Sequence, residues 1–242
     1  MKKTVFITGA NGGIGRALVE EFSKAGYDII AHARNLEFQE FLDNISTKYG
    51  NTITTAIFDM RDSEAMKQSV NQIIKSRIPI TTLVNNAAIS HLALFQMTTM
   101  QTIRDVFNVN FFAQVELTQL LFRYMSKQNN PNIINISSIT GFDLEAGNVA
   151  YGVSKAALIA FNKTLAAEVN ISKIRVNCIA PGMTESKMSN SLISAARNKM
   201  IEDSAMKREA KAEEIAKVAV FLASDNASFI NGETIRVDGG RI

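Results

Sequence analysis

The 242-residue sequence predicts an α/β fold: a doubly wound, seven-stranded parallel sheet with helices on both faces. Three observations predict it. Short runs of strand length alternate with longer amphipathic segments along the chain. The runs are continuously apolar, as strands buried on both faces require. A glycine cluster also stands where the first strand turns into the first helix.

The elements follow in order. Thr4 to Thr8 (Thr-Val-Phe-Ile-Thr) is the first strand and Tyr27 to Ala31 the second. Thr52 to Phe58, Thr81 to Asn85 and Asn132 to Ser137 come next, followed by Ile174 to Ile179 and a short last strand, Glu233 to Val237. The first helix, Gly13 to Ala25, ends at Gly26, a stop signal. Other helical patterns cover Leu36 to Tyr49, Ser63 to Ser76, Thr99 to Lys127, Ala150 to Val169 and Glu213 to Ala223. No linker, low-complexity tract or repeat divides the chain, so residues 1–242 are expected to form a single domain.

Composition narrows the function. Lys and Arg number 26 against 23 Asp and Glu, a net charge of +3 spread along the chain. That balance gives no support for nucleic acid or a membrane surface as partner. A basic start, Met1-Lys2-Lys3, precedes an apolar run that stops at Thr8-Gly9, too short for a secretory signal. The single cysteine, Cys178, excludes an internal disulfide and fits a reducing compartment, so a soluble cytoplasmic protein is expected.

The segment Thr8-Gly9-Ala10-Asn11-Gly12-Gly13-Ile14-Gly15 follows the first strand directly. Glycines here permit the tight bend and let backbone approach a pyrophosphate, while the helix N-terminus supplies unpaired N–H groups. A plain structural turn is the competing explanation. The second strand ends Ala31-His32-Ala33-Arg34-Asn35, with no acid for a ribose 2′-hydroxyl before Glu37. Arg34 suits a 2′-phosphate, so NADP(H) is the expected cofactor, with NAD(H) as the alternative and a solvated surface arginine as the plainer reading.

With these motifs in place, the sequence resembles the short-chain dehydrogenase/reductases from Lys3 to Gly240, above all the branch of 3-oxoacyl-[acyl-carrier-protein] reductases. The resemblance rests on the glycine segment, Asn85-Asn86-Ala87-Ala88, Asn108-Val109-Asn110, Ile136-Ser137-Ser138, Tyr151-x3-Lys155, Pro181-Gly182 and Val237-Asp238-Gly239-Gly240. It implies a Rossmann-type sheet and an oxidoreductase that moves hydride between nicotinamide and a carbonyl or secondary alcohol. It also implies cofactor contacts at Gly9, Asn11, Gly12, Gly13, Ile14, Gly15 and Arg34. Asp59 would hold the adenine amino group, Met60 would touch the ring, and Asn86 and Ala87 would line the ribose. Pro181, Gly182 and Thr184 would border the nicotinamide, with Ser186 near the phosphates. A homotetramer is implied, a dimer being the alternative, with the Thr99–Lys127 and Ala150–Val169 helices between subunits. Two features depart from the branch: Ala88 replaces a glycine, and Lys127-Gln128-Asn129-Asn130-Pro131 lacks the arginine expected for docking an acyl carrier protein, leaving only Lys173 after the catalytic helix.

The same resemblance makes Asn110, Ser138, Tyr151 and Lys155 the catalytic set. Tyr151 and Lys155, four apart, share one helix face. An ammonium about 4 Å from the phenol, at an effective dielectric of about 20, is worth about 4 kcal/mol in favour of phenolate. That corresponds to about three pKa units from about 10 toward working pH, before desolvation subtracts some of it. Tyr151 would protonate the substrate oxygen, Ser138 would orient it, Lys155 would also grip the nicotinamide ribose, and Asn110 would keep a water in the proton relay. The competing functions are a cofactor-sensing regulator without turnover, and a sugar-nucleotide epimerase or dehydratase, whose added C-terminal domain is missing. Cys178 reads as a buried structural thiol, and His32 and His91 as isolated, with no metal site; His91 lies where substrate could pass. Met183, Met188 and the segment to Met200 fall in a lid expected at about 183–210. The loop Gly141-Phe142-Asp143-Leu144-Glu145 offers apolar and acidic contacts without discriminating lipid, sugar or steroid.

Overall fold

The computed structural model describes residues 3–169, 172–185 and 194–241. Its strands are β1 (Thr4–Ile7), β2 (Asp28–Ala33), β3 (Ile53–Ile57), β4 (Ile80–Asn85), β5 (Asn132–Ile136), β6 (Arg175–Pro181) and β7 (Thr234–Val237). They form one seven-stranded sheet in the order β3-β2-β1-β4-β5-β6-β7. Neighbours pair in parallel throughout. Each expected strand is present, its ends shifted by at most two residues. The order reverses beside β1, so the connections leaving β1 and β4 run to opposite sides and open a crevice beyond the strands' carboxyl ends, where such sheets bind ligands. The two edge strands, β3 and β7, are only partly buried, unlike the central ones.

The helices are α1 (Gly13–Lys24), α2 (Gln39–Tyr49), α3 (Ser63–Lys75), α4 (Met100–Phe107), α5 (Ala113–Met125), α6 (Tyr151–Glu168), α7 (Ser194–Glu202) and α8 (Ala212–Ala223). Successive residues of a strand face opposite sides, and the core divides accordingly. Val5 and Ile7 pack with Leu18 and Phe22 of α1 and with Ile215 and Leu222 of α8. Phe6 faces the other layer, with Met66 and Val70 of α3 and Leu117 and Leu121 of α5. Burial of each such side chain contributes about 1.5–3 kcal/mol, which fixes both helical layers to the sheet. Among the described residues, no helix is long and apolar enough to cross a membrane.

Two features differ from the sequence expectation. The single helix expected from Thr99 to Lys127 is divided by a π-helical turn, Asn108–Phe112, between α4 and α5. Such turns insert a residue into the helical ladder and swing the following side chains to a new azimuth. Here the turn carries Asn110 inward, where it is 1 % exposed. Helix α7, within the expected lid, was not foreseen. A polar ladder also runs through the sheet. Asn85 donates to Asn135 at 2.9 Å, Asn135 to Asn162 at 3.1 Å, and Asn162 to the Glu233 carbonyl at 3.3 Å. Buried amides paired in this way tie β4, β5 and α6 into one register beneath the crevice.

Candidate active site

The glycine segment forms the floor of the crevice for steric reasons. Gly9 has φ +64°, and a Cβ there would come within 2.9 Å of Ala87 Cα. At Gly15 a Cβ would lie 2.0 Å from the Gly9 carbonyl, so only glycine lets the helix close on the turn. Thr8 holds the turn from the β4 side: its Oγ1 accepts from the backbone N–H groups of Asn86 and Ala87 at 2.8 and 2.9 Å. The Asn86 amide donates to the Thr8 and Gly9 carbonyls. From the β2 side, His32 takes the Gly9 N–H at 3.2 Å. Helix α1 then starts after Gly12, its N-cap, with no side chain capping it. Its first N–H groups and the positive end of its dipole are left for an anion, and Gly12, Gly13, Ile14 and Gly15 all line the crevice.

Arg34 is exposed at the end of β2 and lines the same crevice, as do Asn11, Arg16, Asp59, Met60 and Arg61. Arg61 grips Asp59 in a bidentate pair at 3.0 and 2.7 Å and holds its carboxyl down at about 2. Met60 is buried, 5 % exposed, against the core beneath.

At the far end, α6 presents Tyr151 and Lys155 from its first two turns, and the start of the 139–150 loop presents Ser138. Ser138 Oγ accepts from Thr140 N and Oγ1 at 3.3 and 2.9 Å, which orients its hydroxyl. Burial pushes the Tyr151 phenol up, and a hydrogen bond with Ser138 opposes that shift. Lys155 is 2 % exposed and donates to the Ile136 carbonyl at 2.7 Å. Burial brings its ammonium down to about 8, opposed by the field of Cys178. This corrects the sequence expectation for Tyr151. The Lys155 Nζ lies 5.8 Å from the Tyr151 ring centroid and is engaged with Ile136, so desolvation of the phenol outweighs any pull from the ammonium.

Asn110 accepts from Ile89 N at 2.9 Å and donates to Ile89 O and Ser154 Oγ, each at 3.0 Å. Ser154 in turn donates to the Tyr151 carbonyl at 2.7 Å. The side chain therefore ties the segment after β4 to the helix that carries Tyr151. Both of its amide hydrogens are used.

One cleft of about 920 Å³ joins these parts. Gly9, Asn11, Gly12, Gly13, Ile14, Gly15, Arg34, Asp59, Met60, Asn86, Ala87, Ser138, Tyr151, Lys155, Pro181, Gly182 and Thr184 all line it. Asn110 stands behind the wall, and Ser186 and Met188 lie outside the described residues. Pro181-Gly182 is fixed by the Gly182 N–H, which donates to the Val237 carbonyl at 2.9 Å, and Thr184 folds back onto the Gly182 carbonyl at 3.0 Å. Ile89, His91, Leu92, Glu145, Met183 and Met200 line the same cleft. Cys178 is fully buried and its thiol is pushed up to about 12, as a structural thiol would be. Sequence reasoning missed Thr8, His32 and Arg61. A polar residue inside an apolar strand was the available signal for His32; for Arg61 it was a cation two residues after Asp59.

An uncapped helix start, a glycine floor that any Cβ would fill and a cleft long enough to run from Arg34 to Tyr151 fit a dinucleotide. A family model described as enoyl-(acyl carrier protein) reductase matches residues 9–241. The 3-oxoacyl-[acyl-carrier-protein] reductase FabG of Thermotoga maritima is 34% identical over 240 residues, covering 99% of this chain and 98% of that protein. The chain belongs to the short-chain dehydrogenase/reductase family. It is accordingly an oxidoreductase of the carbonyl–alcohol class that works with a nicotinamide cofactor. Two solved structures share the fold of this short-chain dehydrogenase/reductase at 29% identity. ElxO with NADP bound matches with a TM-score of 0.90 over 99% of this chain and 98% of that one. L-Sorbose reductase from Gluconobacter frateurii, complexed with NADPH and L-sorbose, matches with a TM-score of 0.91 over 99% and 96%.

Proposed function

We propose that this chain is an NADPH-dependent carbonyl reductase in which Tyr151 delivers the proton, and that its substrate is a 3-oxoacyl thioester. The carrying observation is that Ser138, Tyr151 and Lys155 converge at one end of a cleft whose other end is Arg34 and the uncapped start of α1. NADPH, when bound, supplies the hydride. Its 2′-phosphate would be held by Arg34, its pyrophosphate by the N–H groups of Gly13 and Ile14, and its adenine by Asp59 and Met60. Asn86 and Ala87 would wall the ribose, and Pro181, Gly182 and Thr184, with Ser186 beyond, would border the nicotinamide.

The chain's own chemistry is proton delivery. Ser138, its hydroxyl oriented by Thr140, hydrogen-bonds the substrate oxygen as negative charge develops there. A Tyr151 phenol raised by burial stays protonated at neutral pH, which is the state a proton donor needs. As that proton leaves, the Lys155 ammonium stabilises the phenolate. A relay water at Asn110 would lie on its main-chain side, because both side-chain N–H groups are taken.

Ile89, Leu92, Met183 and Met200 make the substrate end apolar and adaptable, which supports an acyl chain. Glu145 and Asp203 on the same wall, together with the lack of arginine at 127–131, weigh against an acidic carrier protein docking there. The FabG likeness supports the thioester. We read residues 1–242 as one domain with 183–210 as a cover for the substrate. Exposed Met100 on α4, Phe112 in the π-turn and Val153 on α6 support a homotetramer, with a dimer as the smaller alternative, and the single buried cysteine supports a reducing cytoplasm.

Titration with NADPH and NADH, followed by turnover on acetoacetyl thioesters, ketoses and simple ketones, tests the reading. It expects tighter NADPH binding and best turnover on the thioester. Binding without turnover on any carbonyl would support a cofactor-sensing protein instead.

A further inference from the structure

We propose that His32 is a positioning residue for the dinucleotide, setting the glycine-rich turn from beneath through its neutral, Nε2-protonated ring. The inference rests on the reading of the cleft as an NADPH site.

The geometry defines both ring nitrogens. His32 is 1 % exposed in β2 and lines the cleft. Its Nδ1 lies 3.2 Å from the Gly9 N–H, which can only donate, so Nδ1 must accept. Its Nε2 lies 3.0 Å from the Phe58 carbonyl, which can only accept, so Nε2 must carry the hydrogen. The His32 main-chain carbonyl takes the next N–H, that of Ala10, at 2.8 Å. Two successive N–H groups of the turn are therefore satisfied by one residue. The ring also packs against Phe58, centroids 4.1 Å apart. Phe58 immediately precedes Asp59, so the imidazole couples the pyrophosphate turn to the adenine end of the cleft.

Only the neutral ring can do this. A proton on Nδ1 would point at the Gly9 N–H and cancel the contact. Burial brings the imidazole down to about 4, opposed by the Phe58 carbonyl and the Asp59 carboxylate. Arg34, two residues along the chain and at the same cleft, is the nearest cation in sequence.

The test combines two variants with a spectrum. His32→Leu removes both ring contacts; His32→Asn keeps an acceptor within reach of Gly9. Measured by NADPH fluorescence, His32→Leu should weaken NADPH binding roughly tenfold or more, with the loss in cofactor KM and far less in kcat at saturating NADPH. His32→Asn should recover part of that affinity. Equal binding by wild type and both variants, or a loss confined to kcat, would overturn the inference. The chain has two histidines, so imidazole NMR of the wild type beside His91→Gln assigns the His32 signals without altering His32. A neutral Nε2–H ring throughout pH 6–8 is expected; an Nδ1–H tautomer or an ordinary titration near pH 6.5 would overturn it even if His32→Leu fails to fold. Wild-type protein that does not bind NADPH would defeat the cofactor reading instead, and the tautomer would still decide whether His32 holds the turn.

Discussion

The Lys155 ammonium stands 5.8 Å from the centroid of the Tyr151 ring, and its hydrogen bond, 2.7 Å long, goes to the Ile136 carbonyl. The two groups occupy one helix face, as their spacing required, yet the lysine is held back from the phenol. A buried ammonium whose partners are one carbonyl and the face of an aromatic ring is a cost to the folded state, and that cost is useful only when chemistry places negative charge beside it.

This arrangement predicts a trade between stability and activity. Lys155 has a folded pKa of about 8 against an ordinary 10.5. Between those values the unfolded chain holds more protons than the folded one, so this group's contribution to stability rises with pH from about 8 to 10.5. Below pH 8 the full penalty, about 3 kcal/mol, is present. Lys155→Met removes the penalty and forfeits the Ile136 hydrogen bond, for a net gain of about 2 kcal/mol. Calorimetry at pH 7 should show Tm raised by roughly 5 °C while turnover is lost. A lowered Tm would show that the ammonium is better paired than its contacts indicate.

Asn110 is predicted to matter first to the scaffold. Asn110→Ala breaks the exchange with both backbone groups of Ile89 and the bond to Ser154, leaving buried partners unsatisfied. Urea unfolding should register a loss of about 2–4 kcal/mol. Turnover should fall further than the folded fraction, because Ser154 also bonds the Tyr151 carbonyl. A variant as stable as wild type would mean that water replaces the amide fully.

Arg34 is predicted to choose the cofactor. With Arg34→Ala, KM for NADPH should rise roughly ten- to hundredfold, the worth of a charge-assisted phosphate contact. KM for NADH, which lacks that phosphate, should stay as it was. Equal loss for both cofactors would assign Arg34 to the shape of the turn and leave 2′-phosphate selection to Arg16 or Arg61, which line the same wall.

Several of these parts were legible before the structure because each rests on a local rule. Continuous apolar runs located the central strands, which are covered on both faces, while the half-buried edge strands β3 and β7, with Thr54, Thr55 and Arg236 in them, were legible from their place between helical patterns. The glycine segment was legible because no other residue fits Gly9 and Gly15. What escaped depends on tertiary partners. The π-turn at Asn108–Phe112 leaves the apolar pattern of the flanking helices intact, so nothing local marks it. His32 looked isolated because its partners, Gly9 and Phe58, lie on other segments. Asn86 was expected at the ribose, and although it lines the cleft, its amide is engaged with Thr8 and Gly9. The coupling of Tyr151 to Lys155 was overstated for a related reason: spacing gives the helix face, while the carbonyl that captures the ammonium comes from β5.

The most direct test of the central claim is NADPH-dependent turnover by Tyr151→Phe beside wild type, with NADPH affinity measured on the same samples. The variant keeps the ring and the cleft wall and removes the hydroxyl that faces Ser138. The account predicts that NADPH still binds as in wild type while kcat falls about 10²–10⁴-fold. A Tyr151→Phe protein that turns over carbonyl substrate at the wild-type rate would contradict it.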